Sequence, residues 1–233
     1  MKRSIAPLMF GVLVLASGVA RVAGAQVGYT PSTSPYLDLE HSQELTLIAG
    51  PYHSQKDPAG VGPQNGTLIG AHYEWRAGGP AHLVGEFARI SSDRRVVNPF
   101  KVGAARELGV ESRPLYSADF NLGLSLTGGK SWHHLVPEVA GGMGFISDLK
   151  SQADSGGFKF GTRFAISYGA GIRIVPGGRW QVRADVKNRM YTIGYPEAFY
   201  TAPAGGTALV GPNQAKSFWT SNPAFTLGLS RLF

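Results

Sequence analysis

The chain contains no cysteine, so neither a disulfide framework nor thiol chemistry is available to it. Charge is scarce as well: Asp, Glu, Lys and Arg make up 16% of the 233 residues, below the quarter or so usual in a soluble domain. Beyond the first 25 residues no window supplies the roughly 18 unbroken apolar residues of a transmembrane helix. The tight metal-ligand spacing H-E-x-x-H is missing. No His-x-Ser pair occurs on a strand-like segment either, which removes the nucleophile and base of a lipid-facing acyl hydrolase. The formal charge of +7 falls to 7 − 3 = +4 if Lys2, Arg3 and Arg21 are lost with a leader that holds no acidic residue. No stretch concentrates that charge, and nucleic acid is not expected as a partner.

What is present starts with export. Lys2 and Arg3 precede an apolar run from Ile5 to Val19, and Ala23-Gly24-Ala25 offers a small-x-small cleavage pattern before Gln26. A secretory signal peptide over 1–25 is expected. Residues 26–41, rich in Pro, Ser and Thr, read as a periplasmic lead-in, and 42–233 as one domain. Glycine is abundant, with 32 residues, and aromatics reach 11%, as suits strands that meet lipid on one face.

Three glycine pairs, Gly78-Gly79, Gly128-Gly129 and Gly177-Gly178, punctuate that domain. Each sits in a short connection between segments that alternate apolar and polar residues with period two. The other four connections are long. The strand-like segments are about 43–52, 67–76, 81–90, 116–126, 133–145, 158–174, 180–191 and a last one ending at Phe233. In the clearest, Tyr116, Ala118, Phe120, Leu122 and Leu124 alternate with Ser117, Asp119, Asn121, Gly123 and Ser125. Long loops at one end and short turns at the other predict an all-β fold: an eight-stranded antiparallel up-and-down transmembrane β-barrel, apolar outside and polar within. Pro137 lacks a ladder donor, so a bulge is expected there. The segment 91–114 reads as a basic loop with a short helix over 102–110. Trp75, Trp132 and Trp180, beside the glycine turns, suit an interfacial girdle, and Trp219 sits at the opposite rim.

The C-terminal run Phe225, Leu227, Leu229, Phe233 is similar to the terminal signature of bacterial outer-membrane barrels, although Arg231 stands where an apolar residue is usual. The architecture resembles the small OmpA/OmpX-type barrels over roughly 42–233. That resemblance implies a cell outer-membrane location with both termini in the periplasm. It implies outer-membrane lipids and lipopolysaccharide as surroundings, and the barrel assembly machinery as the reader of the terminal signal. It carries over no functional residue.

The inward faces bring together Glu74, Arg76, Glu86, Asp119, Glu138, Arg163, Arg173, Arg183, Asp185, Lys187 and Arg189. Eight strands leave an interior just wide enough for side chains, so this set reads as a paired polar network that fills the lumen. A gated pore or ion path is the sharper reading of the same residues. His72, His82 and His134 project inward near Glu74, Glu86 and Glu138 and suit lumenal hydrogen bonding; neither a metal nor a cofactor is expected. His133 is the sole outward strand histidine and lies at the wrong rim for lipopolysaccharide chemistry. The expected function is therefore structural or surface-interaction, not catalytic. Alternatives are a narrow channel or small apolar-ligand conduit, and a lipid-modifying enzyme such as a lipid A acyl hydrolase or transferase. Arg94, Arg95, Lys101, Arg106 and Arg113 make the 91–114 loop a candidate contact for phosphates or a partner.

Overall fold

Alternation along the chain is reproduced strand by strand in the computed structural model, which describes residues 34–233. The expected signal peptide lies outside the described residues. The elements are β1 (Tyr36–Asp38), β2 (Gln43–Tyr52), β3 (Gly66–Gly78), β4 (Ala81–Val97), β5 (Glu107–Ser112), β6 (Leu115–Ser125), β7 (Lys130–Trp132), β8 (Leu135–Ser147), β9 (Thr162–Ile174), β10 (Trp180–Gly194) and β11 (Ser217–Leu232). Eight of them, β2, β3, β4, β6, β8, β9, β10 and β11, pair antiparallel in that order, and β11 closes on β2. The fold is a closed all-β barrel. Residues 36–233 form one compact unit.

Facing follows from period two. Leu45, Leu47, Phe87, Phe120, Leu122, Met143, Ile166, Val186 and Leu227 stand on the outside, each at least two-fifths exposed. Their inward neighbours Thr46, Glu86, Asp119, Asn121, Ser167, Arg183 and Thr226 are buried. An apolar belt running round a closed barrel has no place in water. It is the surface of a barrel that crosses a membrane.

Several elements differ from the sequence pattern. β4 runs on to Val97 because β5 pairs with its far half, Asp93 opposite Ser112. The 91–114 segment is thus a β arm, and the helix expected over 102–110 is one 3-10 turn, Gly103–Arg106, followed by strand. The Gly128-Gly129 connection is not short: it contains β7, which pairs with β1 from the lead-in, Tyr36 opposite Trp132. His133 and His134 are not strand residues. They form the two-residue turn from β7 to β8 with φ of 48° and 64°, the conformation of a type I′ hairpin turn. His134 is therefore exposed, not lumenal.

Pro137 produces no bulge. The β8–β9 register runs through it, Pro137 opposite Ile172, while its carbonyl accepts from Leu126 N at 2.8 Å. In an antiparallel ladder a residue's amide points to the same side as its carbonyl. The missing donor therefore faces the end of β6, where little ladder remains to lose. Phe158 and Phe160, expected to open a long sixth strand, precede β9 and are buried in the loops.

Candidate functional site

The lumen is stratified. Nearest the glycine turns lies a layer built on two arginines. Arg173 Nη1 meets Glu44 Oε2 at 2.9 Å and Glu74 Oε1 at 3.0 Å, and its Nε approaches Glu138 Oε1 at 3.1 Å. Arg183 grips Asp185 with two bonds, Nε to Oδ2 at 2.8 Å and Nη2 to Oδ1 at 2.9 Å. Its Nη2 also approaches Glu138 Oε1 at 3.2 Å, and its Nη1 donates to His72 Nε2 at 3.0 Å. His82 Nε2 sits 3.2 Å from Glu138 and 3.8 Å from Glu74. A buried ion is tolerable only when its charge and its hydrogen-bonding groups are answered, and the β2, β3, β8, β9 and β10 walls answer each other across the bore.

One step towards the loops lies a second layer. Lys187 Nζ is 3.1 Å from Glu86 and 3.3 Å from Asp119. Arg189 pairs with Glu86 and, at 3.1 Å, with Asp119 Oδ2. Ser167 Oγ donates to Asn121 Oδ1 at 2.6 Å beside it. Space for these side chains comes from inward glycines. A Cβ on Gly144 would meet Asp119 Oδ1 at 2.7 Å, one on Gly171 Asp185 Oδ1 at 2.0 Å, and one on Gly123 His82 Nε2 at 1.9 Å.

A third layer is apolar and seals the loop end. Tyr52 and Tyr191, both fully buried, touch hydroxyl to hydroxyl at 3.0 Å over the strand β11 that lies between theirs. Above them Ala59 and Val61, Phe158 and Phe160, and Phe199 and Val210, from three different long loops, share one buried cluster with Ile48, Leu68, Ile90 and Ile146 of the wall. Tyr195 stacks on Phe199, with ring centroids 5.8 Å apart, and its hydroxyl donates to Asp57 Oδ2 at 2.6 Å. Burial, with the Asp57 carboxylate beside it, pushes that phenol's pKa well above its ordinary value.

Most of the sequence-derived network residues come together here: Glu74, Glu86, Asp119, Glu138, Arg173, Arg183, Asp185, Lys187 and Arg189. Two do not. Arg76 stands at the mouth and donates to the Leu39 carbonyl at 2.7 Å. Arg163 keeps inward parity but lies at the loop end of β9, where its Nε donates to the Phe160 carbonyl at 2.8 Å. Glu44 was missed as a network member, although its position between outward Gln43 and Leu45 marks it as inward. The two tyrosines of the seal carried the same parity signal.

The basic arm is largely tied to itself. Arg94 is buried, bonded to Asp154 at 2.8 Å and lying 4.9 Å over the Phe158 ring. Arg95 pairs with Glu107, Arg113 Nε bonds Glu111 at 2.7 Å, and Arg106 reaches the Thr207 carbonyl at 2.7 Å. Lys101 is exposed. At the other end Trp75, Trp132 and Trp180 are about half exposed at the turn rim. Phe225, Leu227 and Leu229 face outward. Phe233 N bonds the Gln43 carbonyl at 2.9 Å, and the Arg231 guanidinium lies 5.5 Å over the Phe233 ring.

The closed ring of eight strands, its apolar exterior and its filled bore can be set beside solved structures. Neisserial surface protein A superposes with a TM-score of 0.51 at 11% identity, over 82% of this chain and 97% of that one. The fold is that of the small outer-membrane barrels. OprG, an outer membrane protein of Pseudomonas aeruginosa, aligns with a TM-score of 0.49 at 12% identity, over 83% of this chain and 97% of that one. Ail, the attachment invasion locus protein of Yersinia pestis, aligns at 0.40 and 11% identity, over 82% of this chain and 99% of that one. No protein-family model and no curated protein sequence matches the chain.

Proposed function

We propose that this small outer-membrane barrel acts through its loop end, as a structural or surface-interaction protein, and that its lumen is a plug. The single observation that carries this reading is the double closure of the bore: paired charges in the middle and an apolar seal where the loops meet. Ion pairs occupy the middle of the bore, and buried apolar side chains from three loops close over them. Tyr52 and Tyr191 lie fully buried under the loop-end cluster, at the end of the bore that an apolar-ligand conduit would need open. A lipid-modifying enzyme would need an activated nucleophile on the lipid face; the histidines at the turn rim lie in a hairpin turn instead.

In this reading both termini and the three turns face the periplasm and the four long loops face outward. Phe233 and the alternating residues before it present the assembly signal, and lipopolysaccharide surrounds the loop-end rim. The loop partner is a ligand or surface met outside the cell. Conductance in planar bilayers tests the plug. Refolded protein should insert without a steady current. A stable, ion-selective conductance in the unmodified barrel would refute the plug and favour a channel.

A further inference from the structure

We propose that the turn-end layer of the lumen is a binding site for one divalent metal ion, with Glu74, His82 and Glu138 as its protein donors. Charge is the first argument. Glu44, Glu74, Glu138 and Asp185 face Arg173 and Arg183. If all four acids are ionised and the imidazoles neutral, four acidic groups against two basic ones leave a deficit of two charges. His72 cannot supply one, because a guanidinium has no acceptor. The His72 Nε2 that lies 3.0 Å from Arg183 Nη1 must itself accept, which fixes that ring as neutral. Arg76, at the mouth, lies within electrostatic reach of Glu44 and Glu74 but directs its Nη1 to the Leu39 carbonyl and makes no ion pair with the four carboxylates. A proton on His82 would leave one charge unanswered, whereas a divalent ion leaves none.

Geometry is the second argument. Glu74, His82 and Glu138 each offer a ligand atom, all within 4.8 Å of one another. His82 Nε2 stands 3.2 Å from Glu138 Oε2 and 3.8 Å from Glu74 Oε2. Bonds of about 2.0–2.1 Å in a tetrahedron hold donor atoms about 3.3–3.4 Å apart, so these three need to move little to share an ion. All three side chains are buried, at 3–4% exposure. Neither oxygen of Glu138 receives a well-aligned hydrogen bond: the two arginines approach Oε1 at 3.1 and 3.2 Å, and Oε2 lies 3.2 Å from the His82 nitrogen. A cavity of about 60 Å³ borders His82 and Glu138, room for a water or two as the remaining ligand. Two carboxylates and one imidazole suit a zinc- or manganese-like ion. The site departs from the expectation, drawn from the sequence, that the chain takes no metal.

Untagged barrel, stripped with a chelator in denaturant and refolded with or without Zn²⁺ or Co²⁺, provides the test. One equivalent of metal should survive gel filtration. Co²⁺ should give tetrahedral absorption bands that Zn²⁺ abolishes, and the folded gel band should persist to higher temperature with metal. His82→Gln and Glu138→Gln should weaken binding at least about tenfold, while His53→Gln and His134→Gln, at exposed positions, should not change it. Absence of retained metal in the unmodified barrel, or equal affinity in His82→Gln, overturns the site. If neither variant folds, Glu74→Gln and the unmodified protein's Co²⁺ spectrum decide: octahedral bands lost on washing overturn it, and retained tetrahedral bands support it.

Discussion

Asp119→Ala should strand charge in the upper layer and destabilise the barrel by about 3–5 kcal/mol, the range for breaking a buried pair from one side. The structure sets the terms. Asp119 is buried, and its Oδ2 meets Lys187 Nζ at 3.3 Å and Arg189 Nε at 3.1 Å. At an effective dielectric of about 20, each contact is worth about 5 kcal/mol of attraction. Deleting the carboxylate also relieves the cost of burying it, which is why the net is smaller than two such contacts. Lys187 retains some solvent, since its side chain is 15% exposed, so most of the loss falls on Arg189, which keeps Glu86 alone. Urea unfolding from lipid vesicles, followed by tryptophan fluorescence and by gel mobility, measures the change. Adding Lys187→Met to Asp119→Ala leaves Glu86 to Arg189 alone and should recover part of the loss. A cost below about 1 kcal/mol, or no recovery in the double variant, would refute the paired-layer account.

Four further outcomes are expected. Leu122→Arg puts a cation on the lipid face, where Leu122 is 52% exposed, and should cost about 2–4 kcal/mol in the same unfolding assay; a neutral effect would mean the face has been misassigned. Gly142→Ala should block folding into the heat-modifiable form, because its Cβ would lie 2.1 Å from the Phe120 carbonyl oxygen, whereas Gly85→Ala, with open space around it, should fold normally. The Tyr195 phenol is harder to ionise in the folded state, so its contribution is complete below about pH 10, the unfolded value, and is lost as pH rises beyond it. Loop-end unfolding should steepen above that pH, and Tyr195→Phe should remove the steepening. Tags in the 95–110 and 200–212 loops should be labelled on intact cells and a tag at Gly128-Gly129 should not; the reverse pattern would invert the proposed orientation.

Period two made the wall legible, because lipid and a polar bore impose opposite demands on successive residues. It gave the facing of Asp119 and Leu122 without any partner being known. It could not give height or neighbours. Arg173 and Glu44 are 129 positions apart in sequence, and which acid meets which base is set by shear and by side-chain length. Arg163 shows the limit: the right parity at the wrong height puts it among loop carbonyls. The β7 hairpin was hidden because its turn residues are His133 and His134, not the Asn-Gly or Gly-Gly that usually mark positive φ. The loop-end core was hidden for another reason. Phe158, Phe199 and Val210 are spaced by contact with one another, not by any local period.

That shared core means the outward surface is not a set of independent whips. Phe199 packs on Phe158 of another loop and on Tyr195 of its own, within a cluster that three loops share, so a change in one loop's root must be answered in the others. Sequence drift should accordingly be cheap at the tips and correlated at the roots. A partner that docks on the tips meets a surface already set in shape, and pays little entropy to hold it there.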